Sequence, residues 1–98
     1  MIAMEQSSRD FLLSSFMGLR EDTREERIAA DPVSAARILA YCDAVIASLE
    51  HDAPLPHDRG LRDYLETAAK FHSEANEYER VVMEQSAWAS LLERLPER

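Results

Sequence analysis

Glycine is nearly missing from this chain of 98 residues, with only Gly18 and Gly60, and four prolines are the other chain breakers. Such sparse punctuation leaves little room for the many turns of a strand-rich fold. Cysteine is nearly missing too. Cys42 stands alone, so no disulfide can form within the chain, and a reducing compartment is the natural setting. Lysine occurs once, at Lys70, and the formal net charge is −8. An acidic chain with few clustered cations is a poor match for a nucleic-acid backbone or an anionic membrane. It suits a basic protein partner. Long hydrophobic runs are absent as well. The stretch FLLSSFMGL at 11–19 is too short to span a bilayer. Glu5 and Asp10 precede it and the acidic REDTREE follows, which argues against a secretion signal. The expectation is a cytoplasmic protein with no membrane or nucleic-acid partner.

What is present is the composition of a small helical domain. Hydrophobic residues make up 46% of the chain and charged residues 31%, which fits one globular domain over residues 1–98. Ala, Leu, Ile, Val, Glu and Arg dominate, so the fold class is expected to be all-α. A chain this short buries one modest core and would gain from a second copy.

Three helices are legible. Ser7 and Ser8 offer hydroxyl caps, with an apolar face of Phe11, Leu12, Leu13, Phe16, Met17 and Leu19 behind them, so the first helix is expected over about 8–29. Thr23 and Glu26 form a second possible capping box within it. Asp31-Pro32 is the firmest boundary, because aspartate caps and proline suits the first helical position. The second helix then covers about 32–50. Val33, Ala36, Ala40, Ala44 and Ala47 form a small-residue stripe on it, beside a face of Ile38, Cys42, Val45 and Leu49. The loop HDAPLPHD follows, broken by Pro54 and Pro56. The third helix is expected over 58–93.

That third helix would be roughly 50 Å long, against roughly 28 Å for the second. Helix two could not cover it, so its far half should pack on helix one or on another molecule. Heptads place Leu61, Ala68, Ala75, Val82 and Ala89 opposite Tyr64, Phe71, Tyr78, Gln85 and Leu92, a seam of small residues facing aromatics. The resulting expectation is an up-down-up three-helix bundle with a long C-terminal helix, assembled as a homodimer or coiled coil with Tyr64, Phe71, Tyr78 and Gln85 on its core or dimer seam.

Candidate chemistry is thin. His51-Asp52 and His57-Asp58 flank the proline loop, and His72 lies on helix three. Together they are the metal-binding alternative, either a helical metal site or a small metal-dependent hydrolase. No Glu-x-x-His occurs in the chain, which weakens any di-iron bundle. Glu74 and Glu77 make a Glu-x-x-Glu, yet magnesium would need a second acidic pair, for which Asp22, Glu25 and Glu26 are candidates by composition only. Cys42 beside Asp43 reads as a buried small hydrophobe. MEQSAWASLL at 83–92 echoes MEQSSRDFLL at 4–13, but its serine falls mid-helix and the flanks do not match, so the echo reads as chance.

Trp88, with Leu91, Leu92 and Leu95, lies where helix two cannot reach and forms the candidate partner-binding face, since tryptophan is enriched at interface hot spots. No cofactor and no catalytic residue is expected. The functional expectation is an acidic helical protein–protein interaction module: an adaptor, a partner-stabilising chaperone or an antitoxin-like regulator.

Overall fold

The computed structural model describes the backbone of residues 4–28, 30–74 and 80–97, with side chains over the same ranges except 72–74 and 80–83. Among these residues there are four α-helices and no strand: α1 (Gln6–Arg24), α2 (Pro32–His51), α3 (Arg59–Glu74) and α4 (Arg80–Leu92). The all-α expectation holds. The three-helix arrangement does not.

α1 begins earlier than its serines suggested. Glu5 is the N-cap and makes no side-chain cap bond, while Ser8 is buried in the helix instead of capping it. Leu12 and Phe16 continue that buried face. The helix runs unbroken through Gly18, which faces open space. It stops at Arg24, short of the expected Ala29. Glu26 adopts a left-handed φ of 57°, Arg27 N–H donates to the Asp22 carbonyl at 2.9 Å and Glu26 N–H to the Thr23 carbonyl at 3.3 Å. This pair of bonds is a Schellman stop, built here without glycine. Thr23 and Glu26 therefore belong to a helix end, not to a capping box, and the Thr23 hydroxyl donates to the Leu19 carbonyl at 2.7 Å.

α2 starts as its sequence demands. Pro32 is in the first turn, and Asp31 accepts from Ser34 N–H at 2.9 Å and from the Ser34 hydroxyl at 2.8 Å. Asp58 starts α3 the same way, accepting from Leu61 N–H at 3.0 Å. Between the two helices the loop buries Leu55, whose N–H donates to the Arg94 carbonyl at 2.9 Å.

The long third helix is overturned. Arg62, near the start of α3, hydrogen-bonds the Pro96 carbonyl beyond the end of α4, so α3 and α4 run antiparallel beside one another. The chain's longest dimension is 34 Å, too short for a helix of roughly 50 Å. Folding back removes apolar surface that an extended helix would leave in water: Ala87, Trp88 and Leu91 join Leu12, Phe16, Leu61 and Leu65 in one core. α1 and α2 are also antiparallel, because Arg9 reaches the end of α2 while Arg20 meets Asp43 at 3.2 Å further back. The order is up-down-up-down, with α1 against both α2 and α4.

The break also shifts the helical register. On α3 the buried positions are Leu61 and Leu65, Tyr64 is half-buried and Phe71 is 69% exposed. On α4, Gln85 and Ala89 are exposed, whereas Ala87, Trp88 and Leu91 are buried. A single heptad phase carried from 61 to 92 therefore fails. Of the four residues Tyr64, Phe71, Tyr78 and Gln85 expected on the seam, Tyr64 lies against the core, Phe71 and Gln85 are exposed, and Tyr78 lies outside the described residues.

Candidate interaction face and the site geometry

Three regions of the bundle differ in chemistry. At its foot, where α2 and α4 end and α1 begins, Arg94 is 2% exposed. Its guanidinium donates to the Ser48 carbonyl at 2.8 Å and to the Asp52 carboxylate, and lies 3.4 Å from the Ala53 carbonyl. Arg9 comes from α1 to the Leu49 carbonyl and lies 3.4 Å from the same carboxylate. Asp52 itself is left-handed, with φ of 50°, and ends α2. Two arginines thus satisfy the unpaired carbonyls of a helix C-terminus, where positive charge is favoured by the helix dipole. The Arg94 hydrogen bond, helped by the charges of Arg94 and Arg9, holds the Asp52 carboxyl below its ordinary range.

The middle of the bundle is aromatic. Phe16 and Trp88 rings meet at 5.7 Å between centroids, tilted by 58°, and Tyr41 and Tyr64 meet at 5.4 Å, tilted by 38°. Such tilted pairs satisfy the ring quadrupoles better than face-to-face stacking. Gly60 lets α3 approach α2 here, since a Cβ at that position would collide with the Tyr41 hydroxyl. Cys42 is fully buried beside this cluster, and burial with Asp43 nearby pushes its thiol up to about 11. It has no nucleophilic character at neutral pH. Burial also raises the pKa of Tyr64.

The outer side of α2 is the third region. Val33, Ala36, Ala40 and Ala47 are exposed, Val33 by 63%, and Ala44 is half-buried. The face opposite carries Cys42, Val45, Ile46 and Leu49 into the core against α1. α2 is the one described helix long and apolar enough, by length and composition, to cross a membrane, yet only 28% of its most apolar window is buried. Most of the small-residue stripe expected to bring a neighbouring helix close is therefore an exposed face, and among the described residues no helix covers Val33, Ala36, Ala40 or Ala47.

The residues singled out for partner binding are divided by the structure. Trp88 and Leu91 are buried, 5% and 0% exposed, so they are core residues and not surface anchors. Leu92 is half-buried on a groove of about 380 Å3 with Glu66, Ala69, Lys70 and Gln85, and Leu95 is half-buried in a wider recess at the foot. Trp88 packs on Phe16 of α1, the intramolecular one of the two covers expected for it.

The metal alternative rests on three histidines. His51 and His57 are exposed, and the side chain of His72 lies outside the described residues. Asp52 is engaged by the two arginines and Asp58 by the start of α3. Among the described residues no three His, Cys, Asp or Glu side chains converge as a metal site would require. Glu74 and Glu77 likewise lie outside the described side chains.

Sequence reasoning missed Arg94. Its only signal was its spacing, three residues after Leu91 and seven after Ala87, which continues the buried side of α4 just past its end at Leu92. No family model, curated protein or solved structure matches this chain.

Proposed function

We propose that this chain is a small acidic protein–protein interaction module, docking a partner helix on the outer face of α2. The observation that carries the reading is the contrast within α2: the helix apolar enough to pass for a membrane span leaves Val33, Ala36, Ala40 and Ala47 exposed. Contiguous exposed apolar surface marks interaction sites. Its chemistry favours a protein over a lipid surface. Interfacial membrane helices insert large side chains, usually between cationic ones, whereas this face offers Ala36, Ala40, Ala44 and Ala47. Small residues let a second helix approach closely.

The net charge of −8 would steer a basic partner and slow self-encounter. A cytoplasmic adaptor, partner-stabilising chaperone or antitoxin-like regulator fits these properties. Leu92, on the α3–α4 groove, is a second and smaller contact. A homodimer through the α2 face is the other occupant of the same surface.

A photo-crosslinking residue at Ala40 tests the reading in the native cell. A defined protein adduct, lost when Ala36→Glu is added and retained when the exposed Ser86→Glu is added instead, supports it. An adduct equal to this chain's own doubled mass assigns the face to a homodimer. Adducts to lipid, or none that depend on Ala36, overturn it.

A further inference from the structure

Beneath the Phe16–Trp88 pair a recess of about 160 Å3 opens between α1, α3 and α4, walled by Ser15, Phe16, Leu19, Tyr64, Ala68 and Trp88. None of these side chains carries a charge, in a chain where 31% of residues do. Three of the six are aromatic. Enclosed cavities of about 150 Å3 with apolar walls admit a single benzene ring. This recess has that volume but is open to solvent on one side, a scale that suits one ring better than a nucleotide. The wall is not wholly apolar: Tyr64 and Ser15 each bring a hydroxyl. The Ser15 hydroxyl is committed to the Phe11 carbonyl at 2.9 Å. Tyr64 is half-buried, with its proton held more firmly than in water.

We infer that this recess is a binding site for a small, uncharged, single-ring aromatic molecule of the phenol class. Phe16 and Trp88 are nearly covered and present only a margin of their rings to the recess. Tyr64 and Ala68, both half-buried, therefore form its more open wall, and a ligand ring meets the two buried rings at their edges. Tyr64 supplies the polar group that orients the ligand's hydroxyl, the common design of a small apolar site with one hydrogen-bonding handle. A charged analogue is disfavoured, because no counterion lines the wall and desolvation of its charge would go uncompensated. This site is separate from the α2 outer face and stands or falls without it.

Trp88 is the chain's single tryptophan, so its fluorescence reports the recess directly. The full chain is titrated with phenol, cyclohexanol and benzoate, exciting Trp88 where the ligands do not absorb. Phenol should give a saturable change, with cyclohexanol weaker and benzoate weaker by about tenfold or more, a difference of about 1.4 kcal/mol. Ala68→Leu fills the recess and should weaken phenol by a similar factor. Helical circular dichroism checks that the variant folds, and Ser15→Leu, introduced from the exposed side of α1, replaces it where it does not. A linear, unsaturable response to phenol overturns the inference. So does benzoate binding as tightly as phenol, or unchanged phenol affinity in a folded filled variant.

Discussion

The two halves of α2 have the same helical backbone and opposite surroundings. Its second half supplies every buried residue of the helix: Cys42, Val45, Ile46, Ser48 and Leu49. Its first half, from Pro32 to Tyr41, has none. The second half is closed at the foot, where α1, the Leu55 loop and α4 converge and Arg94 and Arg9 take up the helix's free carbonyls. The first half lies beyond that convergence and leaves Val33 and two alanines, Ala36 and Ala40, to solvent. One helix thus contributes to the core at one end and leaves small apolar side chains exposed at the other. Burial follows the number of neighbouring helices more than the local hydrophobicity, for Val33 is no more polar than Val45.

Substitutions can break this contrast from either side. The largest loss is expected at Trp88→Ala, about 3–5 kcal/mol for a buried aromatic. It would be read as a lowered urea midpoint by circular dichroism, and a change below 1 kcal/mol would refute the intramolecular burial of this ring. Arg94→Ala should cost about 2–4 kcal/mol, since it strands the Ser48 carbonyl and removes the charged partner of Asp52. Hydrogen exchange would then show the second half of α2 losing protection while α3 keeps more of its own.

The same latch sets an acid limit. The native Asp52 carboxyl lies below its unfolded value of 3.8. A group with a depressed native pKa stabilises the fold fully above the unfolded value, and that contribution disappears as pH falls through the native one. Stability should therefore drop below about pH 4, and Asp52→Asn should lower stability at neutral pH while flattening that acid limb. An unchanged acid limb in the variant would assign the drop to other carboxylates.

Smaller effects sharpen the open side. Gly18 meets nothing within 4 Å, so Gly18→Ala should raise stability by about 1 kcal/mol. A decrease would mean that something covers this part of α1. Ala40→Glu on the outer face should change stability by no more than about 0.5 kcal/mol while abolishing partner capture. A large destabilisation there would show that the face is packed within the chain, and the contrast between the two halves of α2 would collapse.

Some of this was legible in the residues. Asp31-Pro32 marked the start of α2, and Asp58 the start of α3, because a cap acts over three residues and its chemistry is written there. The end of α1 was not legible. Its left-handed residue is Glu26, and a non-glycine in that conformation costs about 1–2 kcal/mol, so sequence points elsewhere. Nor was the end of the third helix, where no proline or glycine between Leu61 and Leu95 announces a turn. Trp88 stood out as a large ring with two possible covers, helix one or a partner, and only the fold places it on Phe16 of α1. The α2 stripe was seen as small residues inviting a neighbour; that none among the described residues covers most of it is a fact of packing.

The sequence by itself determined the helical class, the capped starts of α2 and α3 and the acidic surface, all of which arise from residue composition or from contacts a few positions apart. Tertiary structure alone decided that the chain folds back before α4, that Phe16 meets Trp88, and that Arg94 closes the end of α2 across a separation of 46 residues. The physical reason is that these outcomes depend on how much apolar surface and how many free carbonyls distant segments can satisfy together, a sum over the folded chain that no local pattern contains.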